Sequence, residues 1–135
     1  MRKTLAAAVL GLCAATSALA DGWPSKPVTL LVPFPPGGST DMIARTVGAK
    51  LQEKLGGTFV VDNKAGAGGT LGASQARRAA PDGSTIFVSS LGPFVIGPHL
   101  IKNPGYDPLK DFDYITVAVQ APNVLAVPAG SPHRS

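Results

Sequence analysis

The sequence predicts an α/β fold organised on a parallel sheet. Short apolar stretches alternate with helical patterns, and the apolar stretches run into glycine-bearing loops. The clearest case is LLVPFPPGGSTDMIARTVGAKLQEKLGG, residues 30–57, where an apolar run breaks at a Pro/Gly loop and a helical pattern follows at once. Alternating strands and helices at this spacing imply right-handed crossovers and a parallel sheet with helices on both faces.

The first twenty residues differ in kind from the rest. Arg2 and Lys3 precede an apolar run, and Ala18 and Ala20 place small residues where a signal peptidase cleaves. The run is shorter than the roughly 18 apolar residues that a membrane span needs. We therefore predict a signal peptide over residues 1–20 and one domain over residues 21–135. Cleavage would remove Cys13, the single cysteine, so neither a disulfide nor a thiol nucleophile is expected.

The composition is that of a globular protein, with 44% hydrophobic and 15% charged residues. The formal charge of +4 becomes +2 once Arg2 and Lys3 are removed with the signal peptide. The basic residues are scattered along the chain and are not interleaved with aromatic residues. The sequence therefore does not predict a nucleic-acid-binding surface.

Five stretches have the character of strands. The first is apolar apart from Thr29, and such strands are usually covered on both faces of a sheet. Two further stretches are predicted near the end of the chain, separated by Ala121 and Pro122. The predicted strands are Val28–Val32, Thr58–Asn63, Ser84–Ser90, Tyr114–Val119 and Asn123–Val127.

The first helix follows directly on the Pro/Gly loop. Ser39 or Thr40 is expected to cap its start, and Gly56 to close its end. Apolar residues recur every four positions and predict one buried face, formed by Ile43, Val47, Leu51 and Leu55.

A second, shorter helix is expected over residues 71–78, ending before the turn Pro81-Asp82-Gly83. Four prolines punctuate residues 92–113, which we predict to form an ordered loop with a helical turn or two near residues 95–101.

The loops that follow the first three strands are the candidate site. In a parallel sheet all strand-to-helix loops open at one edge, so Pro35–Thr40, Ala65–Thr70 and Ser89–Gly92 should converge on one crevice. A helix start leaves backbone N–H groups unpaired and carries about half a positive charge. The sequence therefore predicts an anion-binding crevice.

Other kinds of site find less support. Glycine pairs are often plain turns, and only their shared position after strands favours a ligand site. Gly66-Ala67-Gly68 would need a further glycine at position 71 to match a dinucleotide fingerprint, but Leu71 stands there. His99 and His133 have no partners at ligand spacing, so neither a metal nor a catalytic base is expected.

Five motifs follow one another along the chain: WPSKP at 23–27, VPFPPGGSTD at 32–41, NKAGAGG at 63–69, APDG at 80–83 and YDPLKDF at 106–112. In this order they resemble the Bug family, the extracytoplasmic solute receptors of tripartite tricarboxylate transporters. The resemblance implies a type II periplasmic binding protein fold, in which two lobes clamp a small carboxylate. It also implies a periplasmic monomer that serves membrane permease subunits, with no cofactor and no enzymatic activity.

The resemblance also implies a set of ligand-binding residues, which hold the carboxylate through backbone N–H groups, hydroxyls and ordered water. Ser89 and Ser90 follow equally from the position of the third loop. Asp41 has two interpretations: a first-turn carboxylate that favours the helix dipole, or a cleft residue that binds a ligand amino group, a water or a loop N–H. The full set is Phe34, Gly38, Ser39, Thr40, Asp41, Ala67, Gly68, Gly69, Ser89 and Ser90.

The sequence departs from the family in length. Family members are more than twice as long, so we expect this chain to hold most of one lobe and half of the cleft, with the second lobe missing. Two alternatives to the transport receptor remain open. One is a periplasmic module that reports a ligand to a signalling partner, and the other is a phosphate- or nucleotide-handling α/β enzyme.

Overall fold

The computed structural model describes residues 22–122 and 124–132. Its strands are β1 (Val28–Val32), β2 (Phe59–Asn63) and β3 (Thr85–Phe87). Its α-helices are α1 (Ser39–Leu55), α2 (Thr70–Ala76) and α3 (Gly97–Leu100), with a 3₁₀ turn at Ala67–Gly69 and a π-helical turn at Gly92–Ile96. No helix in this part of the chain is long and apolar enough to cross a bilayer. The predicted signal peptide and Cys13 lie outside the described residues.

The sheet is parallel, as predicted, and its order is β2-β1-β3. Along β2, Val28 pairs with Phe59 and Val32 with Asn63. The central strand β1 is the core of the molecule, because its apolar residues Val28, Leu30, Leu31 and Val32 are all buried. This matches the expectation that a wholly apolar strand in a parallel sheet is covered on both faces.

The two longer helices lie on opposite faces of the sheet. α1 connects β1 to β2 on one side, and α2 connects β2 back across β1 to β3 on the other. Because the two connections run in opposite directions across the sheet, the right-handed rule places their helices on opposite faces. On one face, a β-carbon added to Gly48 of α1 would lie 2.8 Å from Cδ1 of Leu30. On the other, a β-carbon added to Gly72 of α2 would lie 2.7 Å from Cβ of Pro33. Glycines therefore allow α1 to approach β1 closely at Leu30, and α2 to approach Pro33 directly after β1.

The buried face of α1 differs from the predicted one. Its buried residues are Asp41, Ala44 and Gly48, whereas Val47 and Leu55 are exposed. Small residues allow the helix to approach the sheet closely, and the larger apolar residues are displaced to its flank. The predicted cap is also wrong, since Gly38 occupies the N-cap position and no side chain caps the helix. Gly56 closes the helix as expected.

Several predicted elements have different bounds: β2 begins at Phe59 rather than Thr58, and α2 covers Thr70–Ala76 rather than residues 71–78. The third strand covers Thr85–Phe87 rather than Ser84–Ser90, although the Val88 N–H still donates to the Leu31 carbonyl at 2.9 Å. The helical segment after it begins at Gly92 and ends at Leu100, earlier than predicted at both ends. A cluster of aromatic rings covers this region, with ring centroids 5.2–6.0 Å apart: Phe87, Phe94, Tyr106, Phe112 and Tyr114.

The predicted strands at Tyr114–Val119 and Asn123–Val127 are wrong for the residues that the structure describes there. Residues 114–122 and 124–127 are assigned to no strand and are exposed. Leu125 is 96% accessible and Ile115 is 77% accessible. Their apolar and β-branched residues are typical of strands, but a strand needs a neighbour, and these residues pair with none of the described strands.

Candidate functional site

The first loop joins β1 to α1 through Pro33 and the glycine pair. Gly37 has a φ of 86°, a conformation that glycine adopts without a steric penalty. The first internal bond of the helix runs from the Met42 N–H to the Gly38 carbonyl, at 3.0 Å. The backbone N–H groups of Ser39 and Thr40 precede that bond and have no acceptor among the described residues. Two donors at the positive end of a 17-residue helix are thus available to an anion.

The second loop follows β2 and reverses the chain tightly. Four successive residues have positive φ, and one of them, Ala67 with φ of 48°, is not glycine. The loop is held internally, because the Gly69 N–H donates to the Gly66 carbonyl and the Thr70 hydroxyl donates to the Ala67 carbonyl, both at 2.9 Å. Ala67 and Gly68 are exposed, and their N–H groups donate to no described residue. A non-glycine residue in this conformation costs about 1–3 kcal/mol and persists where the surroundings enforce it.

The three loops meet at the carboxyl edge of the sheet. A β-carbon added to Gly69 would lie 3.4 Å from Cζ of Phe34 in the first loop and 2.6 Å from Cγ of Pro93 in the third. One added to Gly92 would lie 3.7 Å from both the Gly68 carbonyl oxygen and the Ser90 hydroxyl oxygen. The predicted convergence of the loops is therefore present. Contacts this close leave no space for a side chain at Gly69, which is itself buried.

The structure places the predicted site residues in three groups. Phe34, Gly38, Ser39 and Thr40 belong to the first loop and the start of α1. The residues from the second loop, Ala67, Gly68 and Gly69, lie against Phe34 through Gly69. Ser89 and Ser90 follow β3, and the Ser89 hydroxyl donates weakly to the Ser90 carbonyl at 3.5 Å. Ser90 is exposed beside Gly92.

Asp41 lies behind the first loop, with 2% of its surface accessible. One carboxylate oxygen, Oδ2, accepts the Gly37 N–H and the Arg45 Nε–H, both at 2.9 Å. The other oxygen, Oδ1, accepts from Asn63 Nδ2 at 3.0 Å. Asn63 Nδ2 also donates to the Phe34 carbonyl at 3.0 Å. One of the roles considered for Asp41 from the sequence was a bond to a loop N–H, and the structure shows that bond, from the Gly37 N–H.

The Asp41 carboxylate is stabilised in its charged form. The hydrogen bond from Arg45, followed by those from Gly37 and Asn63, holds the pKa of Asp41 well below its usual range. The same ion pair raises the pKa of Arg45. Because the two charges compensate each other, the carboxylate does not leave the first loop with an unbalanced negative charge.

Two members of this cluster were not predicted from the sequence. Arg45 lies four residues after Asp41, a spacing at which opposite charges meet on a helix. Asn63 ends β2 at the same edge of the sheet. The helical spacing could have indicated Arg45, whereas the contact of Asn63 depends on the register between β1 and β2.

A cavity of about 300 Å³ lies outside the loop crevice, along the flank of α1. Its lining is mainly apolar, and among the predicted site residues only Ser39 borders it. The lining residues are Ser39, Met42, Ile43, Thr46, Val47, Ala118 and Val119. Within residues 22–122 and 124–132, no three His, Cys, Asp or Glu side chains group as they would around a metal ion.

Residues 43–135 match the family model described as the tripartite tricarboxylate transporter family receptor. A UPF0065 protein from the tcbD-tcbE intergenic region of Pseudomonas sp. strain P51 is 42% identical over 114 residues, 84% of this chain and 34% of that protein. Protein BugT of Bordetella pertussis is 39% identical over 131 residues, 93% of this chain and 40% of BugT. The chain thus spans between a third and two fifths of the length of these relatives.

Solved structures agree in fold. MatC from Rhodopseudomonas palustris, with bound malate, superposes with a TM-score of 0.63 at 42% identity, covering 67% of this chain and 31% of MatC. The periplasmic binding protein BugD gives 0.60 at 44% identity, over 67% of this chain and 30% of BugD. The R. palustris protein Rpa4515 with adipate superposes with a TM-score of 0.62 at 40% identity, covering 64% of this chain and 29% of Rpa4515. The described sheet corresponds to one lobe of a periplasmic binding protein, and the chain belongs to the tripartite tricarboxylate transporter receptor family.

Proposed function

We propose that this chain contributes one half of the ligand cleft in an extracytoplasmic receptor that binds a small carboxylate for a tripartite tricarboxylate transporter. The observation that carries the proposal is the meeting of three glycine-bearing loops at one edge of the sheet, with donors from Ser39, Thr40, Ala67 and Gly68 left without acceptors among the described residues. Backbone N–H groups at a helix start and in a tight turn suit a carboxylate oxygen.

The ligand class follows from the donors and from the relatives. Two solved relatives carry malate and adipate, both of which are dicarboxylates. The proposed contacts recognise one carboxylate and leave the remainder of the ligand to the facing lobe. A dicarboxylate, a tricarboxylate, an amino acid or an aromatic acid would therefore all fit the described half-site. The proposed binding set is Phe34, Gly38, Ser39, Thr40, Ala67, Gly68, Gly69, Ser89 and Ser90, with Asp41 supporting the first loop.

The proposed receptor captures and releases its ligand without changing it. It acts in the periplasm as a monomer, after removal of residues 1–20, and delivers the acid to membrane permease subunits. The described loops supply amides and hydroxyls, which can bind an anion without performing chemistry on it. We therefore propose no enzymatic activity.

Affinity depends on closing the cleft. A micromolar ligand requires about 8 kcal/mol of binding free energy. A hydrogen bond to a charged group contributes about 1.5–3 kcal/mol in favourable surroundings. The same bonds weaken where the site faces open water, because the effective dielectric rises. We expect residues 21–135 alone to bind carboxylates no more tightly than about millimolar, since the site would remain open on one side.

Saturation-transfer NMR on the purified chain tests the proposal with four probes: malate, adipate, the neutral diamide of malic acid, and inorganic phosphate. We expect signals from both acids, competition between them, and no signal from the diamide, because only a charged carboxylate gains from the helix dipole. Equal binding of malate and its diamide would contradict the proposal. Preferred binding of phosphate would instead favour the nucleotide-handling alternative.

A further inference from the structure

The first loop of the candidate site is held from behind by a cluster of three side chains: Asp41, Arg45 and Asn63. The cluster ties α1, which contains Asp41 and Arg45, and β2, which ends at Asn63, to the first loop at the carboxyl edge. It contacts the loop twice, at the Gly37 N–H through Asp41 and at the Phe34 carbonyl through Asn63. Both loop contacts lie within 3.0 Å.

The bonds form a closed ring. Arg45 Nε donates to Asp41 Oδ2 at 2.9 Å, Asn63 Nδ2 donates to Asp41 Oδ1 at 3.0 Å, and Arg45 Nη2 reaches Asn63 Oδ1 at 3.4 Å. Among the described residues, no polar side-chain atom is buried without a partner. The Asp41 carboxylate is thus fully engaged with the protein, and only 3% of its side chain is accessible. It has little surface left for a ligand.

We infer that Asp41 is a positioning residue: with Arg45 and Asn63 it fixes the first loop in the shape that presents the Ser39 and Thr40 amides to the ligand, without touching the ligand itself. This inference rests on the proposed function. It replaces the alternative in which Asp41 binds a ligand amino group directly. The Phe34 carbonyl oxygen accepts from Asn63 in the same arrangement, so the partial negative charge of this oxygen is offset by the Asn63 amide group.

The Asp41→Asn variant separates the two roles, because its effects on charge and on geometry oppose each other. It removes one negative charge near an anion site, so a merely electrostatic or direct role predicts tighter binding of an acid that lacks an amino group. It also breaks the ring. The introduced side chain has one acceptor oxygen, and its amide group would face a donor of Asn63 or the donors of Gly37 and Arg45.

Rotating Asn63 by half a turn does not repair the variant. Its oxygen would then accept from the introduced amide group, but it would also face the Phe34 carbonyl oxygen, and the second contact to the loop would be lost. A positioning role therefore predicts that Asp41→Asn weakens binding of succinate, an acid without an amino group, by about tenfold, the effect of losing one hydrogen bond to the loop.

The matched control is Asp62→Asn. Asp62 is the residue before Asn63, its side chain is 40% accessible, and it pairs with Lys64 at 3.1 Å without contacting the first loop. This variant removes the same charge at the residue adjacent to Asn63 in the sequence. We expect its succinate affinity to stay within about twofold of the parent chain, as for other exposed ion pairs.

The experiment is a succinate titration of the purified chain and both variants, followed by the backbone amide signals in ¹H–¹⁵N NMR spectra. The hydrogen-exchange rate of the Gly37 amide is measured without ligand. In the parent chain we expect this amide to exchange slowly with solvent, as a carboxylate-bound amide does, and in Asp41→Asn to exchange at least about tenfold faster while amides of β1 remain protected.

Tighter succinate binding by Asp41→Asn, or a Gly37 amide that exchanges freely in the parent chain, would overturn the inference. If Asp41→Asn fails to fold, Asn63→Ala and the Gly37 exchange of the parent chain still decide. Asn63→Ala removes the Phe34 contact, one of the three hydrogen bonds to the Asp41 carboxylate and the bond from Arg45. We expect it to weaken succinate binding, and an unchanged succinate affinity would overturn the inference. If succinate shifts no loop amide in the parent chain, the proposed function fails, while the ligand-free Gly37 measurement independently tests whether Asp41 holds the loop.

Discussion

Two apolar regions of this chain have similar sequences and very different environments. Residues 28–32, VTLLV, form the central strand of the sheet, and their apolar side chains are all buried. Residues 114–127 include YITVAV and VLAV, which have the same strand-forming character, but their described members are exposed and unpaired. The comparison shows that a strand-like sequence can form a strand but does not by itself do so. Whether it pairs depends on the strands and helices beside it.

The comparison indicates which part of the described lobe contributes most to its stability. The sheet edge at β3 and the segment after Asp113 contribute little to the core, whereas β1 contacts both neighbouring strands and both long helices. The candidate site is built on the well-packed region, since each of its loops leaves a strand of the three-stranded sheet.

The largest effect should come from truncating a leucine in each region. We expect Leu30→Ala to lower the free energy of unfolding by about 2–5 kcal/mol, because Leu30 is fully buried and a cavity remains. Leu125→Ala, the same change at an exposed position, should alter it by no more than about 0.5 kcal/mol. Urea denaturation followed by circular dichroism measures both. Equal losses in the two variants would mean that residues 124–127 are packed, contrary to the structure.

A smaller effect on stability is expected from adding a methyl group where α2 contacts the first loop. A β-carbon at Gly72 would lie 2.9 Å from Cα of Pro33 and 3.0 Å from the Lys64 carbonyl oxygen, both backbone atoms. We expect Gly72→Ala to destabilise the fold by about 1–3 kcal/mol, as overpacking does.

Gly130→Ala is the matched control for Gly72→Ala, since nothing lies within 4 Å of its added carbon. Its denaturation midpoint should coincide with that of the parent chain. A Gly72→Ala variant as stable as this control would show that α2 and the first loop are not in contact.

The smallest predicted effect is a pH dependence of the folding stability that Asp41 contributes. The folded-state pKa of Asp41 is depressed, first by the Arg45 hydrogen bond, so the unfolded chain binds more protons at acid pH. The stabilisation is present above the unfolded pKa of about 3.9 and is lost as the pH falls below it toward the folded pKa. We expect the stability difference between the parent chain and Asp41→Asn to be largest at about pH 6 and to shrink progressively below about pH 4.

Denaturation of both proteins across this pH range measures the effect. Asp82 and Asp107 also have lowered pKa values, by Lys26 and by the Leu109 N–H respectively, and they are present in both proteins. Their contributions therefore cancel in the difference. A difference that does not depend on pH would contradict the hydrogen-bonded, ionised state of Asp41.

Local patterns in the sequence predicted most of the lobe. Apolar runs located β1 and β2, helical periodicity located α1, and the order of the elements was sufficient for a parallel sheet. The convergence of the loops followed from that topology. These features could be predicted because each depends on residues close together in the chain or on a general rule of chain connection.

Features that depend on distant partners could not be predicted in the same way. The buried face of α1 was misplaced because its position is set by how closely Ala44 and Gly48 approach β1. The role of Asp41 required Asn63, which is brought near by the register of β2. The residues after Asp113 were assigned to strands because their pattern is correct, although no described strand lies beside them.

The most direct test of the central claim is a malate titration of this chain, followed by the backbone amide signals of both glycine loops. We predict that the amides of Ser39, Thr40, Ala67 and Gly68 shift together and fit a single dissociation constant near or above about 1 mM, while amides of residues 114–122 stay unchanged. Shifts confined to one loop, or separate constants for the two loops, would contradict a shared carboxylate site at the edge of the sheet.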